Sequence, residues 1–273
     1  MRHSLPRAPQ FYVTAAQPCP YLNNKVERKL FTALNGSDSQ LLNQALSQQG
    51  FRRSQNVLYR PSCAECNACL SARIPTKLFN LSKSQKRVKN KNKVIKRNVL
   101  TPLATSEQFN LFKVYLKSRH SSGGMTEMDA IEYTSMIEET NVKTFICEYR
   151  LEYLHENNRI NKLIAVSLTD ILDDGLSMVY SFYDPDFQHR SLGKYMILDH
   201  VDLTSEMGLS NLYLGYWVHG SKKMDYKSQY NPLEIFKNGS WENLDIEKYK
   251  SSQNESADKQ DPVTLHNKPI YLS

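Results

Sequence analysis

Apolar and polar positions change period several times along the chain. From 106 to 119, Phe109, Phe112, Tyr115 and Leu116 recur at helical spacing, which predicts one buried side. Thr105 stands three residues before Gln108. In such a capping box each side chain satisfies a backbone N–H that the helix leaves free. A second helix, less sharply periodic, is expected near 128–140. From 142 the period shortens to two. "VKTFICEYRLEYL", "NKLIAVSLTDIL" and "LSMVYSFYD" read as strands, joined by "HENNRI" and "DDG", which predicts consecutive hairpins. Ser191 then introduces "LGKYMILDHVDLTSEM", with Gly208 where a helix stops, and residues 211–217 read as a further strand.

Upstream the pattern is more broken. A Pro-rich entry, the turn "CPYLNNK", a strand "VERKLFTAL", a helix near 37–49 and the extended "RRSQNVLYRP" suggest a small mixed module. The expected division is a cysteine-containing module over 1–75, a basic linker over 76–104, a larger α+β domain over 105–237 and a flexible polar tail over 238–273. The tail is expected because "NGSWENLDIEKYKSSQNESADKQ" offers little to bury.

Composition narrows the class. The 273 residues are 40% hydrophobic, which fits a globular chain with a substantial core. No apolar run is long enough to span a bilayer, and the start "MRHSLPRAPQFYV" has no signal-like apolar stretch. A cytoplasmic location without membrane contact is therefore expected, with the five cysteines as thiols or ligands rather than disulfides. The net charge of +7 is concentrated: residues 71–106 hold ten Lys or Arg and no acid, leaving the remainder at −3. So unmixed a run points to nucleic-acid contact, with a solvated helix face as the plain alternative.

Four stretches carry candidate chemistry. Cys63, Cys66 and Cys69 have the spacing C-x2-C-x2-C, with Cys19 upstream. Thiolates so spaced are candidates for zinc or an iron–sulfur cluster, or are partly buried thiols beside a pocket. Cys147 alternates within an apolar strand and reads as core. Arg52, Arg53, Arg60 and Arg73 surround the cysteines. Planar guanidinium forks match a carboxylate, a phosphate or plain surface charge. "KSRHSSGGM" ends the first long helix with Arg119, His120 and two glycines, a C-terminal turn or a mobile flap. The strand before Asp184 leads through Arg190-x-x-Gly193 into a helix whose free N–H groups suit an anion. The last stretch, "LYLGYWVHGSKKMDYKSQY", leaves a strand for a loop of rings, ammonium groups and a carboxylate.

Five stretches in order resemble the bacterial aspartate/glutamate leucyltransferases, relatives of the arginyl-tRNA–protein transferases. They are "FYVTAAQPCPYLNNKVERKLF", "FRRSQNVLYRPSCAECNACLSARIP", "LFKVYLKSRHSSGGM", "LIAVSLTDILDDGLSMVYSFYDPDFQHRSLGKYMILDH" and "LYLGYWVHGSKKMDYK". The resemblance implies a domain similar to the GCN5-related N-acetyltransferases (GNAT-like) after the N-terminal module. It also implies transfer of leucine from leucyl-tRNA to proteins beginning with Asp or Glu, marking them for degradation. The tRNA ester is already activated, so no cofactor is required, and the nucleophile is the acceptor's α-amine. In eukaryotic relatives, paired cysteines are linked to an iron–sulfur cluster; here Leu22 replaces one of that pattern.

On this reading Tyr180, Ser181 and Asp184 stand at the reaction centre, with Asp225 or Tyr226 handling the amine proton. Arg60, Arg73, Arg53 and Cys19 would meet the acceptor. Lys86, Arg87, Lys89, Arg190, Trp217, Lys222 and Lys223 would meet tRNA, with Tyr216 and Trp217 stacking on its terminal adenosine. Rival readings are arginyl-tRNA as donor, an acetyl-coenzyme A dependent N-acetyltransferase, and a cysteine-ligated RNA-binding protein without catalysis. Against the second, Tyr195 stands where the acetyltransferase phosphate loop has a small residue.

Overall fold

The computed structural model describes residues 9–119 and 124–251. The chain begins with short strands β1 (Tyr12–Val13), β2 (Gln17–Pro18), β3 (Val26–Glu27) and β4 (Lys29–Ala33), then helix α1 (Ser39–Gln48). β5 (Arg52–Ser54) and β6 (Val57–Pro61) follow as a hairpin. The sequence reads 52–61 as one extended stretch; Gln55, at φ 48°, breaks it into two. β1, β4, β6 and β5 form a four-stranded sheet over a small core of Leu34, Phe51 and Leu58.

The second half follows the expected order. After β7 (Cys69–Pro75), α2 (Lys83–Asn92) and β8 (Ile95–Leu100) come α3 (Ser106–Arg119) and α4 (Ala130–Glu138). β9 (Thr144–His155), β10 (Asn158–Ile171) and β11 (Gly175–Tyr183) are antiparallel neighbours. Helix α5 (Leu192–Glu206) then crosses to β12 (Asn211–Val218), which pairs parallel with β11. β13 (Glu234–Lys237) and β14 (Ser240–Asn243) complete an eight-stranded sheet ordered β14-β13-β7-β12-β11-β10-β9-β8. The architecture is α+β, with an N-terminal module of small sheets.

Alternation explains how the long strands support both layers. Phe145, Cys147 and Tyr149 face the core beneath α5, while Ile146 between them joins the core beneath α3 and α4. The expected capping box is formed: Gln108 N donates to Thr105 Oγ1 and Thr105 N to Gln108 Oε1, both at 3.2 Å. Gly208 ends α5 at φ 71°.

The expected divisions need three corrections. β7 lies within 69–75 yet belongs to the large sheet, so the N-terminal unit is not closed at 75. Residues 76–104 are no linker, because Gln85 and Asn92 of α2 are buried, Lys89 pairs with Asp202 on α5, and β8 edges the sheet. The polar tail cannot begin at 238: β14 pairs with β13, and Trp241 lies under Arg73 at 4.3 Å. Tyr249 is buried, its ring 4.8 Å from that of Trp217. One aromatic residue every few positions suffices to hold so polar a segment down.

Candidate active site

β11 and β12 pair only from Gly175–Ser177 against Asn211–Tyr213. Each strand then carries an extra residue, Val179 in β11 and Leu214 in β12, as the jumps in their outer pairings show. A bulge increases local twist and bends its strand. Two bulges at one level drive the strands apart.

Below that parting lies a cleft of about 880 Å³. Met178, Tyr180 and Ser181 line it from β11, Tyr115, Leu116 and Arg119 from α3, and Leu192, Gly193 and Ile197 from α5. Lys222, Lys223, Met224, Tyr226 and Lys227 close it from the loop after β12, and Pro20, Tyr21 and Arg52 from the N-terminal module. No Asp or Glu lines the cleft among the described residues.

The start of α5 is open. Ser191 takes the left-handed conformation, φ 55° and ψ 45°, and its hydroxyl caps nothing. The first N–H groups thus face the cleft without a side-chain acceptor. Gly193 admits the Tyr183 ring, which lies 3.4 Å from where a Cβ would sit. Arg119 Nη2 donates to Tyr183 Oη at 2.7 Å, and the Tyr115 and Tyr183 rings are 5.1 Å apart. Burial pushes the Tyr180 phenol up, and the Tyr115 phenol up to about 12, so both stay protonated hydroxyls near neutrality.

Two cations occupy the parting itself. Arg52 Nη2 donates to the carbonyls of Met178 at 3.0 Å and Val179 at 2.8 Å, and Nη1 to that of Leu214 at 3.3 Å. Lys227, 3% exposed, donates to the Tyr216 carbonyl. Burial, and then the charge of Arg52, push the Lys227 ammonium well below its usual range. Neither residue makes an ion pair among the described residues. Sequence reading placed Arg52 beside the cysteines and gave Lys227 no role; a Lys two residues beyond an Asp carries no sign of burial.

The cleft gathers Tyr180, Ser181, Tyr226, Lys222 and Lys223 from the predicted residues. Several others lie elsewhere. Asp184 caps the following turn through Asp186 N at 3.0 Å and pairs with Lys162 at 2.8 Å. Asp225 accepts from Trp217 Nε1 at 3.1 Å and faces His219. Trp217 is fully buried, and Tyr216 is 2% exposed with its hydroxyl on the Tyr59 carbonyl at 2.8 Å, so neither ring can stack on a nucleotide. Arg53 is locked on Asp170. Arg73 is taken by Glu234 at 2.7 Å and Tyr213 at 3.1 Å. Lys89 pairs with Asp202 on α5, and Arg190 donates to the Lys91 carbonyl at 3.0 Å. Lys86 and Arg87 stay exposed on α2. His120 lies outside the described residues.

A smaller hollow of about 380 Å³ adjoins the cleft across the 19–22 turn. Cys19, Cys63, Cys66 and Cys69 line it with Lys25, Arg60 and Lys237. The four thiols converge, yet among the described residues no three His, Cys, Asp or Glu are arranged around one ion. Burial, and then its fellow thiols, push Cys69 up to about 12, so it rests as a thiol near neutrality. These residues do not fit a zinc or cluster site as placed.

The family described as "Arginine-tRNA-protein transferase, N terminus" matches residues 17–87, and its C-terminal counterpart matches 107–237. An "Aspartate/glutamate leucyltransferase" of Ruegeria pomeroyi is 60% identical over 242 residues, covering 89% of this chain and 86% of that protein. The chain belongs to this family. A second member, from Dinoroseobacter shibae, is 57% identical over 245 residues, again covering 89% and 86%. Among solved structures, "L-PGS from Bacillus licheniformis" is 12% identical with a TM-score of 0.41, covering 72% of this chain and 55% of that one, too distant to argue from. As a family member the chain is an aminoacyl-transferring enzyme, with a tRNA as donor and proteins as acceptors. No helix among the described residues is long and apolar enough to cross a membrane.

Proposed function

We propose that the chain transfers leucine from leucyl-tRNA to the N-terminal α-amine of proteins beginning with Asp or Glu, committing them to degradation in the cytoplasm. The observation that carries the donor assignment is the lining of the cleft. Its floor is apolar, with Leu116, Met178, Leu192, Ile197, Leu214 and Met224, and its charges are all positive. A leucyl side chain suits that floor. An arginyl side chain would meet Arg52, Arg119, Lys222 and Lys223 with no carboxylate to balance it.

The tRNA end enters over the start of α5, where free N–H groups and the Lys222 and Lys223 ammoniums suit phosphate. Tyr180, Ser181 and Tyr226 surround the reacting ester. The acceptor's neutral α-amine attacks the carbonyl, the C–N bond forms, and the ester C–O bond breaks. The amine proton passes, through Tyr226 or water, to the departing ribose oxygen. No residue need become covalently acylated. The acceptor's acidic side chain reaches toward Arg60, Lys25 and Lys237 in the adjoining hollow, beside Cys19.

The test supplies purified protein with labelled leucyl-tRNA or arginyl-tRNA and peptides beginning Asp, Glu, Ala or Lys. Label is expected from leucyl-tRNA on the Asp and Glu peptides. Transfer from arginyl-tRNA alone, or equal labelling of all four peptides, contradicts the reading.

A further inference from the structure

The separation of β11 from β12 is made by a residue of the other unit. Bulges at Val179 and Leu214 turn backbone carbonyls into the gap, where no strand meets them. A buried carbonyl left unpaired costs free energy, so the gap should either close or be filled. The Arg52 guanidinium fills it, taking two carbonyls of β11 and one of β12 in its planar fork. β12 is shaped for this. Gly215 stands beside the bulge at φ 73°, and a Cβ there would lie 1.4 Å from Arg52 Nη1. Only glycine tolerates both the conformation and the contact. Arg52 also lines the cleft and has no carboxylate partner among the described residues, so its charge faces the reacting groups unbalanced.

We propose that Arg52 is a positioning residue for the transfer step, a wedge from the N-terminal module that fixes the spacing of β11 and β12 where the ester lies. The module therefore builds the reaction centre as well as meeting the acceptor. Three bonds to two strands hold Tyr180 and Ser181 at a set distance from the loop carrying Tyr226. A shift of about 1 Å in such a spacing can lower a rate on the order of 100-fold. The wedge rests on the reading of this cleft as the transfer site.

The experiment measures kcat and KM for leucyl-tRNA and an Asp-initiated peptide, with thermal midpoints, for wild type, Arg52→Ala, Gly215→Ala and the double variant. The wild type is also run with arginyl-tRNA. Arg52→Ala is expected to lower kcat on the order of 100-fold, with each KM within about threefold, and added methylguanidinium should restore about tenfold. Gly215→Ala expels the same guanidinium, so the double variant should be no slower than the slower single variant. Should Arg52→Ala not fold, Arg52→Lys serves: one ammonium cannot bridge two strands, and kcat should fall with KM held. Unchanged kcat in the Arg52 variants, or effects that multiply in the double variant, overturns the wedge alone. A wild type that transfers neither amino acid overturns the wedge and the cleft reading together.

Discussion

Arg53 grips Asp170 across the seam between the N-terminal sheet and β10, Nε to Oδ2 at 2.6 Å and Nη2 to Oδ1 at 2.7 Å. The side chains are 2% and 1% exposed, and Thr144 Oγ1 adds a bond to Oδ1 at 2.8 Å. Removing one partner strands the other charge, which costs roughly 3–5 kcal/mol. Asp170→Asn and Arg53→Met should each lower the unfolding free energy measured in urea by about that amount. Folded protein at low temperature should keep near-wild-type KM for the acceptor, because Arg53 does not reach it. A large KM change with intact stability would return Arg53 to the acceptor site.

The basic helix α2 separates two kinds of lysine. Lys86 and Arg87 are exposed and make no ion pair among the described residues, whereas Lys89 is neutralised by Asp202. Each phosphate neutralised contributes roughly −0.7 to −0.9 to the slope of log affinity against log salt. Lys86→Ala with Arg87→Ala should therefore weaken tRNA binding and flatten that slope by about 1.5. Lys89→Ala should leave the slope unchanged. An equal effect of all three would mean that the Asp202 pair opens for tRNA.

How much was legible follows from the physics of each residue. Period and turn chemistry placed α3 to β12 within a few positions, since β9 alternates polar and apolar residues over 148–153, β12 is an apolar run of strand length, and the turns carry polar residues. Arg52 and Arg53 were not separable by composition: adjacent positions on β5 point to opposite faces, one to Asp170 and one to the cleft. Trp217 could not be told from an exposed stacking ring, because burial on β12 depends on Asp225 folding back to take its indole N–H. Lys227 was invisible for the same reason, its burial arising from a turn that returns to the Tyr216 carbonyl.

That fold-back distinguishes two residues one position apart. Asp225 serves Trp217 and does not line the cleft, whereas Tyr226 lines it and is 37% exposed. Tyr226→Phe should lower kcat by about 10- to 100-fold if its hydroxyl relays the amine proton, with KM little changed. Asp225→Asn keeps an acceptor oxygen for the indole and should hold kcat within about threefold of wild type. The reverse pattern, with Asp225→Asn the slow variant, would restore the carboxylate as proton carrier.

His200 gives the fold a defined response to acid. Its ring is fully buried beneath the sheet, with Nδ1 2.8 Å from the Met196 carbonyl and 3.1 Å from Tyr149 Oη, and Nε2 3.0 Å from Thr169 Oγ1. A carbonyl can only accept, so Nδ1 carries the hydrogen and Nε2 accepts from Thr169. A second proton would place a charge on this fully buried ring, and burial lowers the imidazole from 6.5 to about 4. Between those values the unfolded chain binds a proton that the folded chain refuses, so stability rises with pH across the window. On acidification the loss begins near 6.5, reaches roughly 3 kcal/mol, and stops near 4, where both states are protonated. Urea unfolding of wild type and His200→Gln at pH 8, 6, 5 and about 4 should show the variant less stable at pH 8 but with a shallower decline. Parallel declines would assign the acid sensitivity to other groups.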